Sequence, residues 1–584
     1  MQRLMIGPVS LLLIALGAAA PGAQGVGGFV VSSGQVTVQS GPVGPPRDVQ
    51  MATGRSILRG RLTDAVTGAP LRRASVRITA PELRGMKQIT TDSDGRYEAI
   101  DLPAGRYNIT ASKAGYVDMN YGSLGPQEPA SPVTLGDRQT LDKIDIALPR
   151  GAVITGRVLD EFGDPVVDAQ VAPLRMQNMG GMRRPMPAGR MGMTNDIGEF
   201  RIYGLAPGRY YLSGTLPNRN FVVNANGQPG ETDRAGYAPT FYPSATTFDA
   251  AQPITVGAAE TLSEITLTLL PTVTARVSGT VLDAQGQAVQ QGSVNAMLTS
   301  MTGMATGGFG QIVNGRFTIN GLAPGDYVLR AQLGQFGQFG PPTPGQPPQF
   351  AVATVSVNGG DVDGVTLAPV VPVTLRGRFI VNGAAPATLR PQNLRATYMP
   401  TNPMAQMMTN MPGAPGQTRD DFTFDFQAPP GDLMVRVGLP PGWLVREVRL
   451  NGRDVTDGFT LRPEEDGELE IELTDRGPTL TGTVANGRGE AVTNYSVIAF
   501  PQDSRRWGSL TPGHVGMVRP DREGRFTLRT LLPGDYYVLA VDRIQNGDWM
   551  DPEYLDRVRG NATSLRLGEG DTQTLTLRLL EQPR

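Results

Sequence analysis

The chain has 584 residues and a formal net charge of −2, from 52 Lys and Arg against 54 Asp and Glu, so no bulk field selects nucleic acid or an anionic membrane as partner. It has no Cys and one His, His514, which excludes disulfides and leaves too few ligands for a His- or Cys-based zinc site. With 74 Gly, 49 Pro and only 6% aromatic residues, it is suited to short strands joined by turns and poorly suited to long helices.

At the N-terminus, Arg3 precedes an almost wholly apolar or small stretch from Leu4 to Ala20, and Ala23 and Gly25 fit the small-x-small cleavage rule. Residues 1–25 are expected to be a signal peptide, because Gly7 and Pro8 interrupt a run already short for a retained anchor. Residues 26–54 read as a flexible linker. No later run approaches the roughly 20 apolar residues of a membrane span, so the processed chain is expected to be secreted or periplasmic and not membrane-spanning.

From residue 55 onward one unit recurs, and internal repetition is the most informative pattern in the chain. Its first landmark is a strand with a central glycine running into a turn: RGRLTDAVTGAPL at Gly60, TGRVLDEFGDPV at Gly156, SGTVLDAQGQAV at Gly279, RGRFIVNGAAP at Gly377 and TGTVANGRGEAV at Gly482. These glycines lie 96, 123, 98 and 105 residues apart. The second landmark is a hairpin, DGRYEAIDLPAGRY in the first copy, with two glycines ten residues apart in copies one, two, three and five. Its first Gly supplies φ > 0 in an Asp/Asn-Gly turn. Tyr97, Phe200, Phe317 and Phe526 follow and should point into the core, and Tyr107, Tyr210, Tyr327 and Tyr536 should begin the return strand. The fourth copy, DDFTFDFQAPPGDL, puts Asp421 in place of the first Gly and Leu433 in place of Tyr, which predicts a bulge or register change there.

Together these landmarks resemble the carboxypeptidase regulatory-like domain. The resemblance implies a transthyretin-like β-sandwich, similar also to collagen-adhesin B-type and starch-binding-like modules. It implies an all-β fold class, an elongated tandem array of about five immunoglobulin-like or transthyretin-like sandwiches. The expected boundaries are 55–150, 151–272 with a Met-rich loop, 273–372, a divergent 373–477 with a Met/Pro-rich loop, and 478–584. The same resemblance is nearly mute about function, because such modules accompany many activities.

The chemistry of the residues points away from catalysis. One His and no Cys exclude the zinc carboxypeptidase mechanism, and neither a G-x-S-x-G elbow nor a phosphate loop occurs. His514 reads as an ordinary loop residue. No Lys follows Lys143, so repeats two to five cannot form a Lys-based isopeptide crosslink. The Asp92-Ser93-Asp94-Gly95 stretch resembles the start of a calcium loop, but the twelfth position is Pro103, and a turn is the expected structure. No cofactor or metal is expected.

Three segments between the second strand and the hairpin gather 14 of the 22 methionines: Met176 to Met193, Met297 to Met304 and Met399 to Met411. They are expected to be loops at equivalent ends of their sandwiches, either low-complexity, peptide-contacting or, through soft thioethers, Cu(I)-handling. Gly334 to Phe350 reads as a disordered loop. Ligand-binding candidates are the aromatics Trp507, Tyr237, Phe241 and Tyr242, with Trp443 and Trp549 as alternative packing residues. The expected function is a non-enzymatic binding or structural scaffold whose partner is an envelope or extracellular protein. A carbohydrate-binding array with a glycan partner is the alternative, and a copper-handling protein a third.

Overall fold

A computed structural model describes residues 53–582, apart from 217–234, 300–305, 334–349, 382–385, 387–388, 402–415, 464–466 and a scatter of one- or two-residue positions. The expected signal peptide and nearly all of the expected linker lie outside the described residues, as do Met301, Met304, the methionines from 404 to 411 and all of Gly334 to Phe350 except Phe350.

The fold is all-β, a tandem series of antiparallel β-sandwiches. Five hydrophobic cores follow one another along the chain, spanning Leu58–Leu148, Ala152–Leu269, Ala275–Leu367, Val373–Leu473 and Leu480–Leu577. In each repeat the first strand (Ser56–Asp64, Ala152–Leu159, Ala275–Val281, Val373–Val381, Thr479–Ala485) is held on both sides. It pairs antiparallel with the hairpin strand and parallel with the closing strand of the same repeat. The opposing sheet forms around the return strand.

The central glycine of each first strand has a steric cause. A Cβ there would lie 2.0 Å from the carbonyl oxygen of Ile144 at Gly60, 1.9 Å from that of Ile265 at Gly156, and 1.8 Å from that of Val365 at Gly279. The same distance is 2.5 Å to Leu469 O at Gly377 and 1.9 Å to Leu575 O at Gly482. The missing side chain also leaves room for the hairpin aromatic, since Tyr97, Phe317, Phe424 and Phe526 pair across from their glycines with ring carbons within 3 Å of where the Cβ would be.

The hairpin aromatics Tyr97, Phe200, Phe317 and Phe526 are all buried, as expected. The return-strand tyrosines are buried too, and each phenol donates to the carbonyl four residues before it. The distances are 2.6 Å for Tyr107 to Pro103, 2.7 Å for Tyr210 to Ala206, 2.8 Å for Tyr327 to Ala323 and 2.9 Å for Tyr536 to Leu532. Each tyrosine thus satisfies its own buried hydroxyl and ties down the Pro-Gly turn that precedes it.

The fourth repeat corrects the expected register. Phe424 pairs with Gly377 as Phe200 pairs with Gly156, so Phe422, with φ +65°, occupies the glycine position that the sequence assigned to Asp421. Asp421 instead accepts from the Thr423 amide at 3.0 Å and its hydroxyl at 2.6 Å, which stabilises the turn without glycine. No bulge interrupts this ladder; in the equivalent ladders of repeats one to three a bulge lies beside Asp101, Gly204 and Gly321, all with positive φ. The fourth copy lacks that extra residue.

Asp92 Oδ1 accepts from the amides of Asp94 and Arg96 at 2.9 and 2.7 Å, so the calcium-like stretch is an Asx turn. The Met-rich segment of repeat two is also corrected: it is a β-hairpin, Gln170–Met179 paired with Met182–Pro187, rather than a loop. Residues 170–174 of its first strand also pair with 211–215, and 175–179 continue as a ribbon with 182–186.

Candidate functional site

Among the described residues, the fifth repeat carries a layer of structure that the others do not show. Beside its sandwich core it builds a second cluster from Ile498, Phe500, Trp507, Leu539, Val541, Ile544, Tyr554, Leu555 and Val558. The strands Ser496–Pro501 and Gly534–Val541 alternate between the two cores. A short helix, Pro552–Val558, closes the outer cluster. Its start is fixed locally: Asp551 accepts from the Glu553 amide at 3.0 Å and Pro552 stands in the first turn.

From this platform the fifth repeat touches three others. Toward repeat one, the Arg519 guanidinium donates to the carbonyls of Gly122 and, at 3.3 Å, Pro129, and to Asn494 of its own repeat at 3.4 Å. Burial draws the Arg519 pKa down and pushes the nearby Glu128 carboxyl up, while the Arg519 and Arg543 charges oppose the Glu128 shift. Toward repeat two, Gly547 lies under the tip of the Met-rich arm, where a Cβ would sit 2.5 Å from the Asn178 carbonyl oxygen. Burial raises the pKa of Asp548 beside it, helped by Asp551 and opposed by Arg183 of the arm and Arg557.

Toward repeat four, Thr511 Oγ1 lies 2.7 Å from Asp457 Oδ1, and His514 Nε2 lies 3.3 Å from the same oxygen. His514 is 5% exposed, and burial holds its pKa below 6.5 against the pull of Asp457. The expectation of an ordinary loop histidine is therefore corrected: it is a buried contact between repeats. No spacing in the sequence indicates this, because Asp457 and His514 belong to different repeats. Repeat one is also tied internally by a polar knot that reaches its last residue, Arg150. Asp64 is nearly fully buried and accepts from the amides of Thr67 and Val66, from Arg150 at 3.1 Å and from Tyr116 at 3.0 Å. These bonds, the Thr67 and Val66 amides first, hold its pKa well below the usual carboxylate range.

The aromatic candidates divide. Trp507 is 2% exposed, donates its indole N–H to the Pro501 carbonyl at 2.6 Å and packs edge-on against Phe500. It offers no free face to a sugar, because the outer cluster of its own repeat covers it. Phe241 is 4% exposed and lies edge-on to Phe248, which removes it likewise. Tyr237 and Tyr242 are half-buried against the second core, and Tyr237 donates to Glu161 at 3.0 Å. The structure does not gather the four residues into one site. Trp443 and Trp549 pack against the cores of repeats four and five, as the packing alternative expected.

Repeat four presents a shallow charged groove on its sheet face, lined by Ile380, Glu447, Arg449, Glu470 and Glu472. Its charges are largely matched, with Arg449 on Glu447 of the same strand at 2.5 Å, and across strands Arg446 on Glu472 at 3.1 Å and Arg378 on Glu470. Exposed pairs of this kind contribute little stability and offer little unsatisfied charge to a ligand. Among the described residues, no group of three or more His, Asp or Glu is placed to hold a metal ion, and no helix is long and apolar enough to cross a membrane.

A tandem β-sandwich protein is the class that this architecture defines. Residues 57–149, the first sandwich, match the family model of the carboxypeptidase regulatory-like domain. No match is found among curated proteins. Solved structures with similar elements include the Bacillus anthracis TIE protein, at 12% identity over 68% of this chain and 67% of that one, with a TM-score of 0.13. A streptococcal ancillary pilin matches at 13% identity over 54% of this chain and 98% of its own, with a TM-score of 0.18. A putative carbohydrate binding protein from Bacteroides uniformis matches at 6% identity over 52% of this chain and 100% of its own, with a TM-score of 0.14.

Proposed function

We propose that the chain is an exported, non-catalytic scaffold, in which five domains bounded near residues 150, 272, 372 and 477 offer their loop ends to an envelope or extracellular protein. The observation that carries this reading is the set of contacts from the fifth repeat to repeats one, two and four, through Arg519, Gly547 and the Thr511–His514 pair. Such contacts fix the repeats against one another, which a presenting scaffold requires and a flexible linker array does not. The single His of the chain serves one of these contacts and is buried, which removes the most versatile general base from catalysis. The carbohydrate reading loses Trp507 and Phe241 as stacking surfaces to burial.

The test is to purify the chain from residue 26 onward, probe a glycan array and capture partners from envelope extracts. The expected result is a stoichiometric protein partner and no retained glycan. Binding of a defined oligosaccharide without a protein partner would replace this reading with the carbohydrate one.

A further inference from the structure

One end of repeat two departs from its counterparts. The turn after its first strand and the turn of its hairpin lie side by side: the Val158 amide donates to the Gly198 carbonyl at 2.9 Å, and a Cβ on Gly198 would lie 2.9 Å from Pro165. Each turn is an Asx turn, closed by Asp160 onto the amides of Phe162 and Asp164 and by Asn195 onto those of Ile197 and Glu199. Both therefore present their third residue outward. Phe162 is 81% exposed and Ile197 47%.

Three further apolar side chains stand at the same end. Val167 precedes Asp168, whose amide meets the Thr194 carbonyl, and Met193 and Thr215 both pair with Gln170, which brings Met193 and Leu216 to the same end. Val167, Met193 and Leu216 are all exposed. The turn geometry does not demand this. The corresponding residues are Val66 and Asp94 in repeat one and Arg488 and Glu523 in repeat five, where at least one of each pair is charged. A cluster of exposed large apolar side chains on a protein surface marks an interaction site.

The charges around it select the partner. Asp160, Glu161, Asp164 and Asp196 surround Phe162 and Ile197 in the two turns, while the nearby Arg157 is matched by Glu199 at 2.9 Å. An apolar centre with an acidic rim repels anionic lipid and complements a segment that alternates apolar and basic residues. We propose that this end of repeat two is a docking face for a cationic, apolar segment of a partner protein, with Phe162 and Ile197 as its anchors. The proposal rests on the scaffold reading above and assigns that scaffold a surface.

The test uses a fluorescein-labelled 12-residue peptide of alternating Leu and Lys, a Leu–Glu peptide of the same length, and phosphatidylglycerol vesicles. The intact chain is expected to bind the Leu–Lys peptide, with affinity falling about tenfold or more, roughly 1.4 kcal/mol, in the Phe162→Ser/Ile197→Ser variant. Affinity is also expected to fall with salt, and more weakly in Asp164→Asn/Asp196→Asn. Equal binding by the Leu–Glu peptide, unchanged binding by the Ser variant, or preference for the vesicles would overturn the proposal. If an envelope partner is retained equally by the intact chain and the Ser variant, the scaffold reading stands and this face is not its site.

Discussion

Replacing Gly482 with Ala tests the reason for the central glycine. The new Cβ would lie 1.9 Å from the Leu575 carbonyl oxygen and 2.9 Å from Phe526 Cε1, and the nearer atom is backbone that no rotamer can move aside. A carbon–oxygen contact needs about 3.2 Å, so the closing strand Thr572–Leu580 must retreat by roughly 1.3 Å from a ladder of seven register pairs. Losing two or three of those hydrogen bonds at about 1 kcal/mol each, with the packing of Phe526 disturbed as well, gives a cost of about 3–5 kcal/mol. Gly489→Ala in the same repeat is the control: φ is +82° but nothing lies within 4 Å of the added Cβ, so only about 1–2 kcal/mol is expected. Trp507, buried in this repeat, reports urea unfolding by fluorescence. A Gly482→Ala midpoint shift no larger than that of Gly489→Ala would refute the steric account.

Tyr210→Phe leaves the buried Ala206 carbonyl without its 2.7 Å donor and should cost about 1–2 kcal/mol in thermal unfolding, without loss of packing. Arg519→Ala removes donors from the Gly122 and Pro129 carbonyls, so hydrogen exchange should quicken around residues 120–130 while the sandwich core of repeat one, including Leu58 and Ile146, keeps its protection. His514 has a folded pKa below its unfolded value of 6.5, so the unfolded chain takes up its proton first. The stability it contributes is complete above about pH 6.5 and declines as pH falls through that value, levelling off below the folded pKa. Melting temperatures of the intact chain and His514→Gln should therefore converge on moving from pH 7.5 to pH 5. Trp507, buried and hydrogen-bonded, should emit at short wavelength and resist iodide quenching.

The repeat unit was legible because its landmarks are backbone requirements written as residue types. Gly95, Gly198, Gly315 and Gly524 all have φ of 72° to 76°, and a glycine in an Asx-type turn can be read from one sequence. Phe422 was not legible for the same reason reversed, since an aromatic at φ +65° breaks the rule by which the other turns were found. The bulge of repeat one escaped because Asp101 carries it without glycine. Trp507 was misplaced because the outer cluster that buries it is assembled from Ile498, Leu539, Tyr554 and Leu555, distant in sequence and absent from the repeat pattern. Contacts such as His514 with Asp457 join different repeats, and no local periodicity encodes them.

The pairing of each first strand with the last strand of its own repeat also bears on how the chain acquires its structure from the N-terminus onward. Thr479–Ala485 must wait for Thr572–Leu580, and Ala152–Leu159 for Thr261–Thr268, before either parallel ladder exists. Each sandwich is therefore completed in a single late step, when its final strand emerges, and long-range pairing of this kind is slow. Until then the first strand keeps one unsatisfied edge. A stall between Ala152 and Thr261 leaves exposed the groups that would pair with a foreign strand, whereas a stall after Val273, the last residue to pair within repeat two, leaves a finished repeat behind it.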